Sequence, residues 1–160
     1  MNREQFAGLV LASTDSLYRV AKGILRQDAD CEDAVQEAIV QAFANLHTLR
    51  RDEYAKTWLT RILIHECYKI LRSGNRTIAY EEVETREVCE DRNYSDLYQA
   101  LEELDVKYRL TIVLHYIEGF SVAEIAGMMQ TTEGTVKSRL HRGRNSLRKT
   151  LEQEEELSWN

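Results

Sequence analysis

The segment TEGTVKSRLHRGRNSLRK, from Thr132 to Lys149, concentrates six basic side chains: Lys137, Arg139, Arg142, Arg144, Arg148 and Lys149. At 100° per residue, Val136, Leu140, Leu147 and Leu151 fall on one helical stripe. The opposite face presents Ser138, His141, Arg142, Asn145 and Lys149, with Lys137, Arg144 and Arg148 on its flank, and Arg139 is counted in the same set. Cations hold phosphates, while arginine, serine and asparagine hydrogen-bond base edges, so the chemistry offered is nucleic-acid recognition. A basic run is more often a solvated helix face. The element in front of it decides between the two.

That element is SVAEIAGMM, in which Ser121 and Glu124 stand three apart as a capping box and Val122, Ile125, Ala126 and Met129 form an inward face. The turn QTT follows, and Thr132 is placed to cap the basic helix. A short helix, a tight turn and a longer basic helix make a helix-turn-helix, which favours DNA. Upstream, Leu97, Leu101 and Leu104 begin one apolar face; Leu110, Val113, Leu114 and Ile117 form another, ended by Gly119.

A second polar surface is expected on YAKTWLTRILIHECYKILR, a helix from about Tyr54 to Arg72 that carries Arg61, His65, Tyr68, Lys69 and Arg72 on one stripe. Cations beside aromatic rings suit unpaired DNA, because phosphates need charge and unstacked bases need rings. Trp58 alone reads better as a core tryptophan than as a stacking ring. Before it, DCEDAVQEAIVQAFANL predicts a helix over 31–46 with Asp30 as N-cap and carboxylates in the first turn. One or two further helices are expected within residues 2–26.

Other chemistries find little support. His47, His65, His115 and His141 are scattered without a nucleophile-and-acid pattern, so no catalytic site is read and the chain is not expected to be an enzyme. Cys31, Cys67 and Cys89 form no CxxC pair and have no histidine at a zinc-like interval; no disulfide framework, metal site or cofactor is expected. Proline is absent and period-3.6 patterns recur from end to end, which gives an all-α fold. The net charge of −6 is unevenly spread: residues 73–96 hold three basic and seven acidic side chains, 105–150 hold eight and four, and 151–160 hold none and four. The aperiodic acidic stretch SGNRTIAYEEVETREVCEDRNYS reads as a flexible linker between two small helical domains. The expected division is 1–72, linker 73–96, helix-turn-helix domain 97–152 and acidic tail 153–160. No apolar run is long enough to span a bilayer, and MNREQFAGLV is charged where a signal peptide would be apolar; no membrane insertion and a cytoplasmic location are expected.

With both halves in view, the chain resembles bacterial RNA polymerase sigma factors of the extracytoplasmic-function group. DCEDAVQEAIVQAF resembles that family's polymerase-docking helix and TWLTRILIHECYKILR its promoter-melting helix. ALEELDVKYRLTIVLHYIEGFSVAEIAGMMQTTEGTVKSRLHRGRNSLRKTL resembles region 4 nearly throughout. The resemblance implies that Asp33, Gln36 and Glu37 bind the β′ clamp helices of core RNA polymerase. It implies that the loop HTLRRDEYAK, with Arg50 and Arg51, joins Trp58, Arg61, His65, Tyr68, Lys69 and Arg72 at the minus-ten element. Lys137, Ser138, Arg139, His141, Arg142, Asn145, Arg148 and Lys149 then face the minus-thirty-five element. Core polymerase, including its β flap, promoter DNA and an anti-sigma factor are the implied partners. The sequence departs from the family pattern at His65 (usually Asn), Lys69 (commonly Asp), Asp105 (typically Pro) and Gln130 (commonly Gly). A free-standing helix-turn-helix regulator is the rival reading, and a sigma mimic that sequesters an anti-sigma factor a third, disfavoured because the DNA-facing residues are present.

Overall fold

α1 (Arg3–Lys22) starts at Asn2, whose side chain accepts from the Gln5 N–H at 2.7 Å while the Gln5 side chain accepts from the Asn2 N–H at 3.1 Å. This capping box satisfies two donors that a helix start otherwise leaves open. The computed structural model describes residues 1–74 and 92–158, and no strand occurs among them, as the all-α expectation requires. A single helix fills most of residues 2–26. α2 spans Asp28–Ala44 rather than 31–46, so Asp30 lies inside its first turn and Gln27, extended at φ −97° and ψ 134°, occupies the cap. The cap forms no side-chain hydrogen bond; the carboxylates of Asp28 and Asp30 complement the positive helix end instead.

Two 3-10 turns, Leu46–Thr48 and Asp52–Tyr54, lead into α3 (Ala55–Gly74). α2 lies along α3 and α1 packs on both, burying Phe6, Leu17, Val20, Ala34, Leu59 and Leu63 between them. Phe6 meets the Trp58 ring edge-on at 5.9 Å, which puts Trp58 against the core as the sequence suggests. Cys31 and Cys67 are free and buried in the same core. Burial pushes the Cys31 thiol up to about 11 and raises Cys67 as well, so both stay protonated and inert at neutral pH. Cys89 lies outside the described residues.

The second half comprises α4 (Arg92–Glu102), α5 (Val106–Ile112), a π turn (Val113–Ile117), α6 (Val122–Met128) and α7 (Glu133–Ser158). Residues 75–91 of the expected linker lie outside the described residues, but its expected ends are helical, 73–74 closing α3 and 92–96 opening α4. α7 runs on to Ser158, through residues 153–158 of the expected acidic tail, because Glu, Gln and Leu are good helix formers. Leu101, Leu104, Leu110, Val113 and Leu114 are buried as expected, whereas Leu97 and Ile117 at the ends of their faces are exposed. Gly119 adopts φ +77°, a left-handed conformation that glycine accepts without strain, and terminates the π turn.

The two halves pack against each other through α3 and α6 and through α1 and the π turn. The buried Arg109 donates from Nε to the Gly23 carbonyl at 2.6 Å and from Nη1 to the Leu104 carbonyl at 3.1 Å. The Glu118 carboxylate accepts from the Ser16 hydroxyl and from Arg19 Nε at 2.6 Å, and Thr57 donates to Glu124 at 2.9 Å. Burial opposes the charge of Glu124, yet the Ser121 N–H and the Thr57 and Ser121 hydroxyls together hold its carboxyl below the usual range. Lys56 sits over the Phe120 ring at 5.8 Å. Among the described residues no buried side-chain nitrogen or oxygen lacks a partner, so this polar interface is satisfied throughout.

Candidate nucleic-acid interface

The helix-turn-helix is built by two caps and one unusual turn residue. The Ser121 hydroxyl accepts from the Glu124 N–H at 3.1 Å and the Glu124 carboxylate accepts from the Ser121 N–H at 3.2 Å, which starts α6. At the turn Gln130 takes φ +52°, the left-handed region that explains why glycine is common there. The Thr132 hydroxyl then accepts from the Thr135 N–H at 3.1 Å and starts α7. Val136 and Leu140 are buried and Leu147 and Leu151 half-buried, so the predicted apolar stripe is the one that packs inward.

Lys137, Ser138, His141, Arg142, Asn145, Arg148 and Lys149 are all exposed on α7, as the 100° spacing predicts. Arg139 is half-buried and close enough to Tyr68 to favour its ionised form, although burial raises the Tyr68 hydroxyl overall. Three residues that shape this face were not singled out in the sequence. Gly143 is buried where α7 crosses α5; a Cβ there would stand 2.9 Å from Ile112 Cγ1, so only glycine permits this approach. Tyr116 accepts from Arg144 Nη1 at 2.5 Å, and Tyr108 accepts from Arg142 Nη1 at 3.4 Å. The Arg142 hydrogen bond draws the Tyr108 hydroxyl below its ordinary value. A lone glycine inside a helical pattern is the one sequence signal that pointed to such a crossing.

On α3, Arg61, His65, Lys69 and Arg72 are exposed on the expected stripe, with Arg50 and Arg51 exposed in the preceding loop. Tyr68 departs from it: the ring is half-buried against the core cluster. Lys69 lies 3.4 Å from Glu66, a largely buried carboxylate on the same helix. On α2, Asp33, Gln36 and Glu37 are exposed together, and Val40, one turn further on, is 60% exposed. No group of His, Cys, Asp or Glu among the described residues could hold a metal ion, and none of the described helices is long and apolar enough to cross a membrane.

A capped helix-turn-helix with an exposed basic face, joined to a helical half that carries a separate cationic stripe, defines a helix-turn-helix protein of the DNA-binding class. The description Sigma-70 region 2 matches residues 9–77 and Sigma-70, region 4 matches residues 94–147. RNA polymerase sigma factor SigV of Bacillus subtilis is 32% identical over 92% of this chain and 93% of its own length. ECF RNA polymerase sigma factor SigW of the same organism is 30% identical over 94% and 90%. The sigma factor RpoE of Bartonella quintana, solved in complex with the anti-sigma factor NepR, superposes with TM-score 0.81 at 27% identity over 93% of this chain and 98% of that one. CnrH, solved with the cytosolic domain of CnrY, gives TM-score 0.73 at 25% identity over 94% and 90%. The chain belongs to the sigma-70 family, as an RNA polymerase sigma factor of the extracytoplasmic-function group. Its family comprises transcription initiation factors, and the free-standing regulator has no counterpart among these relatives.

Proposed function

We propose that the chain docks on core RNA polymerase through Asp33, Gln36 and Glu37, against the β′ clamp helices, with the second half against the β flap. α7 then reads the minus-thirty-five element through Lys137, Ser138, His141, Arg142 and Asn145, while Arg148 and Lys149 hold phosphates. Arg50, Arg51, Arg61, His65, Lys69 and Arg72 meet the minus-ten element, where Tyr68 and Trp58 supply rings at the edge of the core. The observation that carries this reading is α7 itself, whose DNA-competent side chains are exposed opposite buried Val136 and Leu140. The work of such a protein is recognition and strand separation in the cytoplasm; it needs no catalytic group of its own.

The packed halves add a condition. Two elements about 25 base pairs apart are separated by roughly 85 Å at 3.4 Å per pair, yet Thr57 of α3 and Glu124 of α6 are hydrogen-bonded. The halves must part before both elements are held at once, and an anti-sigma factor is the partner that would keep them together. One similar structure holds the sigma factor RpoE with the anti-sigma factor NepR, and another holds CnrH with the cytosolic domain of CnrY, which supports this reading. Incubating the full chain with core polymerase, recovering the complex and sequencing the transcripts it makes from genomic templates tests the function. Defined start sites that vanish without the chain are expected; a complex that forms but starts no transcript at a defined site overturns it.

A further inference from the structure

Beside the recognition face, the start of α5 and the first turns of α7 border an open, shallow cleft of about 470 Å³. Its wall includes the cations Lys107, Arg139 and Arg142 and hydroxyls of Tyr108, Thr132 and Ser138, supplied by α5, α7 and the residue that caps α7, and no carboxylate. None of the three cations forms a salt bridge among the described residues. Asp105, whose charge is felt at Tyr108, does not line the cleft.

Tyr108 links the cleft to the base-reading surface. Its ring lies 5.1 Å from the Lys107 ammonium and its hydroxyl accepts from Arg142 Nη1 at 3.4 Å. Gly143 permits the close crossing of α7 on α5, which keeps Tyr108 within reach of both helices. Convergent unpaired cations with hydroxyl donors suit a singly charged tetrahedral anion, and the ammonium is a point charge that carries no base code.

We propose that this cleft seats one backbone phosphate of duplex DNA next to the minus-thirty-five element, held by Lys107 and Arg139, and that Tyr108 uses this anchor to set the approach of Arg142 to its base. The proposal rests on α7 being the recognition helix. It assigns Lys107 as a phosphate ligand and Tyr108 as a positioning residue, neither of which lies on the helix-turn-helix.

The test uses holoenzyme assembled from the full chain and core polymerase, on promoter duplexes in which single phosphates flanking the element are replaced by neutral methylphosphonates. One linkage should weaken wild-type binding while costing Lys107→Ala clearly less, because only the Arg139 contact is then left to lose. Lys107→Ala should also lose about 0.9 of salt slope, so that its affinity falls about 3.5-fold less than wild type between about 50 and 200 mM salt. Tyr108→Phe keeps the ring and removes the hydroxyl; it should reduce the preference at one base pair with an unchanged salt slope, which a general loss of fold would not do. A wild-type salt slope and methylphosphonate profile in Lys107→Ala, or undiminished base preference in Tyr108→Phe, overturns the cleft while leaving recognition by α7 standing. Wild-type holoenzyme that fails to discriminate variants of the element overturns both.

Discussion

Replacing Arg109 by methionine isolates the polar tie between the halves. Arg109 is 6% exposed, and its guanidinium donates to the Gly23 carbonyl at 2.6 Å, the Leu104 carbonyl at 3.1 Å and the Glu102 carbonyl at 3.3 Å. Methionine retains most of the aliphatic stem and removes every donor, so the change leaves buried acceptors open without a large cavity. A hydrogen bond from a charged donor contributes about 1.5–3 kcal/mol, and the cost of burying the guanidinium, which also lowers its pKa, is recovered in the variant. The net loss for two well-formed bonds is therefore about 2–4 kcal/mol. With a urea dependence of about 2 kcal/mol per molar, the unfolding midpoint should fall by about 1–2 M, read by circular dichroism on the full chain. A midpoint displaced by less than about 0.3 M would mean that water replaces the guanidinium at no cost and that the junction is wet, not tied by Arg109.

Reversing charge at Asp33 and Glu37 to lysine should abolish most core-polymerase capture in a pull-down and leave the fold within about 0.5 kcal/mol, since both side chains are exposed; undiminished capture removes these residues from the docking surface. Arg142→Ala should lose about ten- to a hundredfold preference at one base pair of the minus-thirty-five element, whereas Arg148→Ala should weaken all sequences alike and reduce the salt slope by about one. Equal weakening by Arg142→Ala at every base would make it a phosphate contact instead. Gly143→Ala should destabilise the chain by about 1–3 kcal/mol despite alanine's better helix propensity, because the new Cβ would sit 2.9 Å and 3.1 Å from Ile112 side-chain atoms. Adding Ile112→Ala should recover part of the Gly143→Ala loss in a thermal melt, and full additivity would place the strain elsewhere.

Features encoded within a few residues were legible in the sequence. The Ser121–Glu124 box and the Thr132 cap need only neighbours three apart, and both form as read. The α7 stripe followed from period alone. Asp30 misled because a carboxylate is favoured both at the cap and within the first turn, and the helix in fact starts two residues earlier, at Asp28. Tyr68 shares the angular position of Arg61 and Arg72, but angle does not reveal that a neighbouring helix half-buries its ring. The interface between the halves was least visible, because Arg109 and Gly23, or Glu118 and Ser16, are distant in sequence and each looks like an ordinary surface residue. Tyr108 and Lys107 were missed for the same reason: their role depends on where α5 crosses α7.

A sigma factor enables core polymerase to recognise and open a promoter, and permanganate mapping of unpaired thymines measures that opening directly. On a promoter found by transcript sequencing, thymines at the minus-ten element should become reactive only when both the full chain and core polymerase are present, and mutation of either promoter element should suppress the signal. Duplex thymines that stay unreactive across that promoter, in a complex shown to contain both chain and core polymerase, would mean that the chain does not open promoter DNA.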